Sequence, residues 1–300
     1  MGHHHHHIHP DKKDPGVRKR LKVAFLLNFS FTIIEFIGGV YTNSIAIISD
    51  AVHDLGDTIA IGSALWLEKV SERGRDEKYS YGYKRYSTLG AFITSAILLA
   101  GSIIIIYEAI PRILNPQPVM AVGMMVMAVL GIIFNGIAVL RLKGGNQSLN
   151  NKAVMLHLIE DVLGWIAVLV GSVVIKFTGW YWIDPILSLG VAAFILYNVI
   201  VNLKGIAAIF MQTTPRDFDG DKVLSALMAI QNVLEVHDIH TWSMDGNYHV
   251  MSVHLVVPVD LTSEQQVSVR SAANVVLREI GIDHPTIAIE FQGEVCDICK

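Results

Sequence analysis

Six apolar stretches fill the first two thirds of this 300-residue chain, at residues 21–41, 44–69, 87–112, 119–141, 153–176 and 181–211. A helix that crosses the hydrocarbon of a bilayer needs roughly 20 predominantly apolar residues. Backbone polar groups have no water partners in lipid, so such stretches must satisfy them internally and fold as helices. Composition agrees: 52% of residues are hydrophobic and 17% charged, with a mean hydropathy of +0.46, unlike an ordinary soluble domain. The net charge of −4 leaves no basic footprint for nucleic acid. The cysteines, Cys296 and Cys299, sit together near the C-terminus and imply no disulfide framework. No small-residue cleavage site follows the first stretch, which reads as a retained span and not a signal peptide.

Turns and charges divide the stretches into a topology. Asn115-Pro116-Gln117-Pro118 cannot continue a helix, and Gly179-Trp180-Tyr181-Trp182 places aromatic rings at headgroup level between spans five and six. Fifteen Lys and Arg residues flank one side: six in the N-terminal tail and first helix start, six between spans two and three, and Arg141, Lys143 and Lys152 between spans four and five. The other side has only Arg112 and Lys176. The basic side is expected to face the cytoplasm, with both termini there and the protein in the cell membrane.

Inside this apolar background lie two matching pairs. His53 and Asp57 are four residues apart in span two, and His157 and Asp161 repeat the spacing in span five. Positions i and i+4 share one helix face, so each pair is half of a metal site. Ionisable groups at bilayer depth are costly unless they are paired or lie on a transport path. Two imidazoles and two carboxylates suit tetrahedral zinc. Asp50 and Asp54 fall on the same face of span two as His53 and Asp57 and are expected to support the site or give access to it. Glu35, Asn28 and Asn135, also within spans, are expected to make interhelical hydrogen bonds.

Beyond Met211 the pattern changes, with Thr213-Thr214-Pro215 at the boundary. Residues 221–230 read as an amphipathic helix. Residues 236–244 and 248–257 read as strands around Asp245-Gly246-Asn247. A helix capped at Thr262 or Ser263, with Gln265 or Gln266 at the capping-box position, runs to about Ile280, and Thr286–Gln292 makes a third strand. The expected fold is an all-α, six-helix transmembrane domain followed by an α+β domain of order αββαβ, ferredoxin- or metallochaperone-like. The expected segments are a His-rich cytoplasmic tail at 1–20, a six-span domain at 21–211, a cytoplasmic αββαβ domain at 212–292 and a C-x-x-C tail at 293–300; a family resemblance, carried by the motifs below, implies transport for the second and metal sensing and dimerisation for the third.

These residues resemble the cation diffusion facilitator family, zinc-transporter-like metal/proton antiporters. The resemblance rests on Ser49-Asp50-Ala51-Val52-His53-Asp54-Leu55-Gly56-Asp57, His157-Leu158-Ile159-Glu160-Asp161, Tyr81-Gly82-Tyr83-Lys84-Arg85, Asp184-Pro185, Val236-His237-Asp238-Ile239-His240-Thr241-Trp242 and Thr286-Ile287-Ala288-Ile289-Glu290, in the family's order over residues 17–292. It implies a homodimer joined largely through the cytoplasmic domains, with one transport site per protomer and Zn2+ and protons as its other partners. It further implies a cytoplasmic metal set of His237, His254, His284 and Glu290. Strand alternation puts His240 on the face opposite His237. The chain departs from the family pattern in two loops. The connection Lys143–Lys152 has no histidine, and the loop after span two carries Tyr79, Tyr81 and Tyr83 where some members have histidines, so no additional metal is expected there.

Cys296 and Cys299 have the spacing of half a zinc site; an unstructured tail is the alternative. The histidines between His3 and His9 read either as an expression tag or as a native His-rich tail that completes such a site, and Ile8, which interrupts the run, favours the second. The function expected from these features is zinc efflux in exchange for protons, with Zn2+ as cargo and regulatory ligand. The alternatives are a carrier for Cd2+, Co2+, Ni2+ or Fe2+ and a membrane metal sensor that does not transport. An intramembrane zinc hydrolase is disfavoured: there is no His-Glu-x-x-His, and Glu160 stands about 100° around the helix from Asp161.

Overall fold

A computed structural model describes residues 15–71, 73–143 and 149–294. The description leaves out some side chains within these segments, including those of residues 149–158 and therefore His157. The chain divides into two compact units, residues 1–203 and 204–300.

The first unit is built from long helices: α1 (Pro15–Thr42), α2 (Ile45–Ser71), α3 (Arg85–Leu114), α4 (Ala121–Lys143), α5 (Leu149–Thr178) and most of α6 (Ile183–Phe210), whose end from Lys204 belongs to the second unit. Each covers one of the six apolar stretches. By length and apolarity, the described parts of α1, α3, α5 and α6 suffice to cross a membrane. The carboxylates of α2 dilute its apolar character, and α4 contributes an apolar run at Ala121–Ile137. Large apolar side chains such as Phe36, Ile104, Tyr107 and Phe177 point outward, which suits lipid and not water.

Packing inside the bundle relies on close approach. Phe31 of α1 stacks on Phe134 of α4, with ring centroids 4.9 Å apart, and meets the edge of Trp165 of α5. Met124, Ala128, Trp165 and Val168 complete this core. A Cβ at Gly131 would overlap the Trp165 indole, so glycine there lets α4 and α5 approach closely. A smaller cluster joins Ile45 of α2, Ile105 and Ala109 of α3, and Ala192 of α6.

The turns are stitched to one another. Asn43, at φ +55°, reverses the chain between α1 and α2; asparagine tolerates this left-handed conformation. Its side chain donates to Pro118 O at 3.0 Å, while Arg112 donates to both its backbone and side-chain oxygens. Between α2 and α3, the Asp76 carboxylate accepts the backbone N–H groups of Lys78 and Tyr79 and the Tyr83 hydroxyl, all within 2.9 Å. The Tyr83 hydrogen bond, followed by the backbone N–H groups, holds the Asp76 carboxyl below the usual carboxylate range, and the same bond raises the Tyr83 phenol.

The second unit contains α7 (Gly220–Met228), β1 (Glu235–Ser243), β2 (His249–Val257), α8 (Ser263–Glu279) and β3 (His284–Phe291), the αββαβ order read from the sequence. Asp219 caps α7, and Thr262 with Gln265 forms a reciprocal capping box on α8. The sheet order is β1-β2-β3, with β1 antiparallel and β3 parallel to the central β2. The core packs Val236, Met251, Val253 and Leu255 of the sheet against Val223 and Leu227 of α7 and Val269, Ala273 and Leu277 of α8. Its other face carries the polar residues described next.

Candidate metal centres

In the helical unit, His53 Nε2 lies 4.0 Å from Asp57 Oδ2 on its own helix and 3.9 Å from Asp161 Oδ1 on α5. Ligand atoms around tetrahedral zinc, at about 2.0–2.1 Å from the metal, are about 3.3 Å apart; a modest contraction of these groups would enclose one ion. The three side chains are 21%, 30% and 12% exposed, so they are screened but reachable. His157 lies one helical turn before Asp161 on α5, and its side chain falls outside the described residues.

Around this trio α2 is anchored to α1. Asn28 donates to the Asp54 backbone oxygen at 3.2 Å and to Thr58 Oγ1 at 3.0 Å, the interhelical hydrogen bonding expected of it. Asp54 is buried and Asp50 half-buried, and Asp50 lies among Asp54, His53, Asp161 and Asp57. Glu35 is fully buried at the α1–α2 interface, where its carboxyl lies beside that of Asp54. Asn135 is half-buried on α4.

The sheet face holds a second group. Glu290 bridges two imidazoles, with Oε1 2.5 Å from His254 Nδ1 and Oε2 3.0 Å from His237 Nε2. The His237 nitrogen is buried and reaches Glu290 without hydrogen-bond geometry. Ligand atoms of His237, His254 and Glu290 all fall within 4.8 Å of one another. Cross-strand register explains the grouping: His237 is opposite His254, and Glu290 pairs with Val256 on the next strand.

One expectation about this face needs correction, and His284 stands apart from the three grouped ligands. It opens β3 opposite Val250, whereas His254 is opposite Ala288, and four residues of strand are about 13 Å. His240 lies on the same face as His237, not the opposite one. A bulge between them inserts one residue into β1, so His240 pairs with Ser252, two places from His254 and therefore on its side. Asp238 forms the bulge at φ +50°, and its carboxylate bridges His240 Nε2 at 2.8 Å and His254 Nε2 at 3.5 Å. Asp238 was missed in the sequence, although a signal was there: Val236 and Ile239 both pack on the core, and residues three apart cannot share a face of an unbulged strand. Cys296, Cys299 and the histidines from His3 to His9 lie outside the described residues.

A bundle of apolar helices with converging imidazole and carboxylate groups, followed by a small metal-ligand-bearing sheet domain, defines a multi-pass membrane protein that handles cations. Comparison with known proteins identifies its family. The model of the cation efflux transmembrane domain matches residues 21–210, and that of the cation efflux protein cytoplasmic domain, a dimerising domain, matches residues 215–291. The chain is 34% identical over 292 residues to the metal cation efflux system protein CzcD of Cupriavidus metallidurans, covering 97% of this chain and 91% of that protein. It is 34% identical over 299 residues to the cadmium, cobalt and zinc/H(+)-K(+) antiporter of Bacillus subtilis, covering 98% and 93%. It is 31% identical over 296 residues to the zinc transporter ZitB of Escherichia coli, covering 97% and 93%. The chain belongs to the cation diffusion facilitator, or cation efflux, family. It is a membrane transporter of divalent metal cations and not an enzyme, with the metal as cargo and dimerisation through the cytoplasmic domain.

Proposed function

We propose that the chain exports Zn2+ from the cytoplasm in exchange for protons, at a site formed by His53, Asp57, His157 and Asp161. The observation that carries this reading is the position of His53 within 4.0 Å of carboxylates on two different helices. Zinc binds neutral imidazole and ionised carboxylate, so metal and protons compete for the same four groups. Zinc arriving from the cytoplasm displaces protons from the site. The helices carrying the pairs then shift against the others and open the site to the opposite side. Protons entering from that side release the metal and reset the carrier. Histidine, with a reference pKa of ~6.5, titrates in the working range.

Asp50 and Asp54 support the site and its access path. Residues 21–211 form the transport domain and residues 212–292 the sensor. His237, His254 and Glu290 bind regulatory zinc there, and the two protomers associate through this domain. His284, Cys296 and Cys299 are further candidate ligands. The excess of Lys and Arg on one side supports cytoplasmic termini in the cell membrane.

Two imidazoles favour zinc over manganese or magnesium, although divalent affinities overlap. The metals in the name of the Bacillus subtilis relative support a second reading, in which Cd2+ or Co2+ is the main cargo. Proteoliposomes containing a pH-sensitive dye, supplied in turn with Zn2+, Cd2+, Co2+ and Mn2+, test both readings. Zinc uptake coupled to proton movement is expected. Metal flux without a pH change would overturn antiport, and no flux would favour a sensor that does not transport.

A further inference from the structure

We infer that Asp238 is a positioning residue of the sheet site: its carboxylate holds the His254 ring from the far side and so fixes which nitrogen that ring presents to a metal. This role deepens the reading of His237, His254 and Glu290 as a zinc site and rests on it. The two ring nitrogens of His254 face two different carboxylates. Nδ1 lies 2.5 Å from Glu290 Oε1, and the other oxygen of Glu290 meets His237. Nε2 lies 3.5 Å from Asp238 Oδ2. An imidazole gives a metal one nitrogen and keeps a proton on the other, which needs an acceptor. With Nδ1 turned to the grouped ligands, the Nε2–H is the donor, and Asp238 is the carboxylate placed to receive it.

The backbone bends to put that carboxylate there. Regular alternation after His237 would send Asp238 to the core face, where Val236 packs. Instead Asp238 takes φ +50° at the bulge between His237 and His240, Ile239 packs on the core, and the Asp238 carboxylate reaches the histidines of the other face. Glycine adopts this left-handed conformation most readily and aspartate only occasionally, so a bulge needed for the fold alone would be served by glycine. His240 secures the arrangement, with its Nε2 2.8 Å from Asp238 Oδ1. One oxygen of the carboxylate is thus held by an exposed histidine while the other faces His254. The Asp238 side chain is 15% exposed, which limits the water that competes for the Nε2–H.

The test is equilibrium dialysis of Zn2+ against the full-length protein in nanodiscs, in an Asp161→Ala background that weakens intramembrane binding, with a thermal melt of each metal-free variant. Asp238→Gly deletes the carboxylate and keeps the bulge, because glycine is at ease at positive φ. It is expected to weaken the sheet zinc by about 10- to 100-fold, with a metal-free melting temperature no lower than the parent's. Asp238→Asn tolerates the same backbone. It should recover the affinity to within about fivefold of the parent, since its carboxamide oxygen still accepts the Nε2–H. Equal affinity in Asp238→Gly and the parent would overturn the inference. A loss that tracks a lower melting temperature would also overturn it, as the mark of a structural role. Asp238→Asn binding as weakly as Asp238→Gly would overturn it as well, in favour of Asp238 as a direct charged ligand. His254→Ala keeps this role apart from the zinc reading beneath it, and should remove one zinc per protomer. An unchanged count there would sink the sheet zinc site and the positioning role together. Loss of the ion in His254→Ala beside an unaffected Asp238→Gly would overturn the positioning role alone.

Discussion

Asp184 and Ser44, 140 positions apart in the chain, share a hydrogen bond that ties the first turn of α6 to the start of α2. The same carboxylate accepts the Ile45 and Ala46 backbone N–H groups at 2.9 and 3.3 Å, and Ser44 Oγ accepts that of Ile47 at 3.2 Å. Asp184 is thus an N-cap supplied in trans, placed where the helix dipole favours a negative charge. The helix it caps carries His53 and Asp57.

Removing this cap should loosen the site helix. Asp184→Ala is expected to cost about 1–2 kcal/mol, the range for loss of a helix N-cap, and Ser44→Ala less. A thermal melt of the purified protein, read by intrinsic fluorescence, measures the effect. An Asp184→Ala melting temperature equal to that of the parent would show that water replaces the cap without cost.

Asp161→Ala should abolish metal flux in proteoliposomes while the dimer elutes unchanged from gel filtration. It removes the one described carboxylate that links α5 to His53. His53→Asp should narrow the preference for Zn2+ over Mn2+, because an imidazole is exchanged for an oxygen ligand. A retained uptake ratio would count against His53 as a ligand.

On the sheet face, replacing His237 and His254 together removes two of the three grouped ligands. The zinc concentration for half-maximal flux should rise, with little change in maximal rate. An unshifted concentration dependence would separate the sheet site from regulation.

The Asp76 turn should respond to acid. Its carboxyl titrates below the ordinary value of 3.8, chiefly because Tyr83 donates to it. The sign follows from linkage: the turn's added stability is complete above that value and is lost as pH falls through the lower folded one. Hydrogen exchange of residues 73–84 should therefore stay protected down to about pH 4 and then accelerate. In Tyr83→Phe the acceleration should be smaller and should level off at higher pH, because the folded value then lies closer to the ordinary one. Identical profiles would mean that the backbone N–H donors alone set the carboxyl's behaviour.

Gly131→Val should destabilise the bundle by about 1–3 kcal/mol, the usual cost of overpacking, because a side chain there overlaps the buried Trp165 ring. A parent-like melt would show that α4 and α5 can part without penalty.

Much of this architecture follows from patterns repeated along the chain. The six apolar runs appear as α1 to α6. The Thr262–Gln265 pair marks the start of α8, and alternation marks β2. Spacing of four residues on a helix places His53 over Asp57 without knowledge of any other element. The chemistry of the ligands is legible for the same reason, since residue type and helical period are both local.

Tertiary structure decided the relationships that depend on register and packing between distant segments. The bulge at Asp238 brings His240 to the face of His237 and His254, and the parallel pairing of β3 carries His284 away from them while delivering Glu290. Asp184 becomes a cap only because α6 meets the start of α2. Glu35 of α1 lies beside the Asp54 carboxyl only because α1 packs against α2. Local patterns specify what each segment is; which side chains meet depends on strand offsets and helix contacts set by the packing of the whole unit.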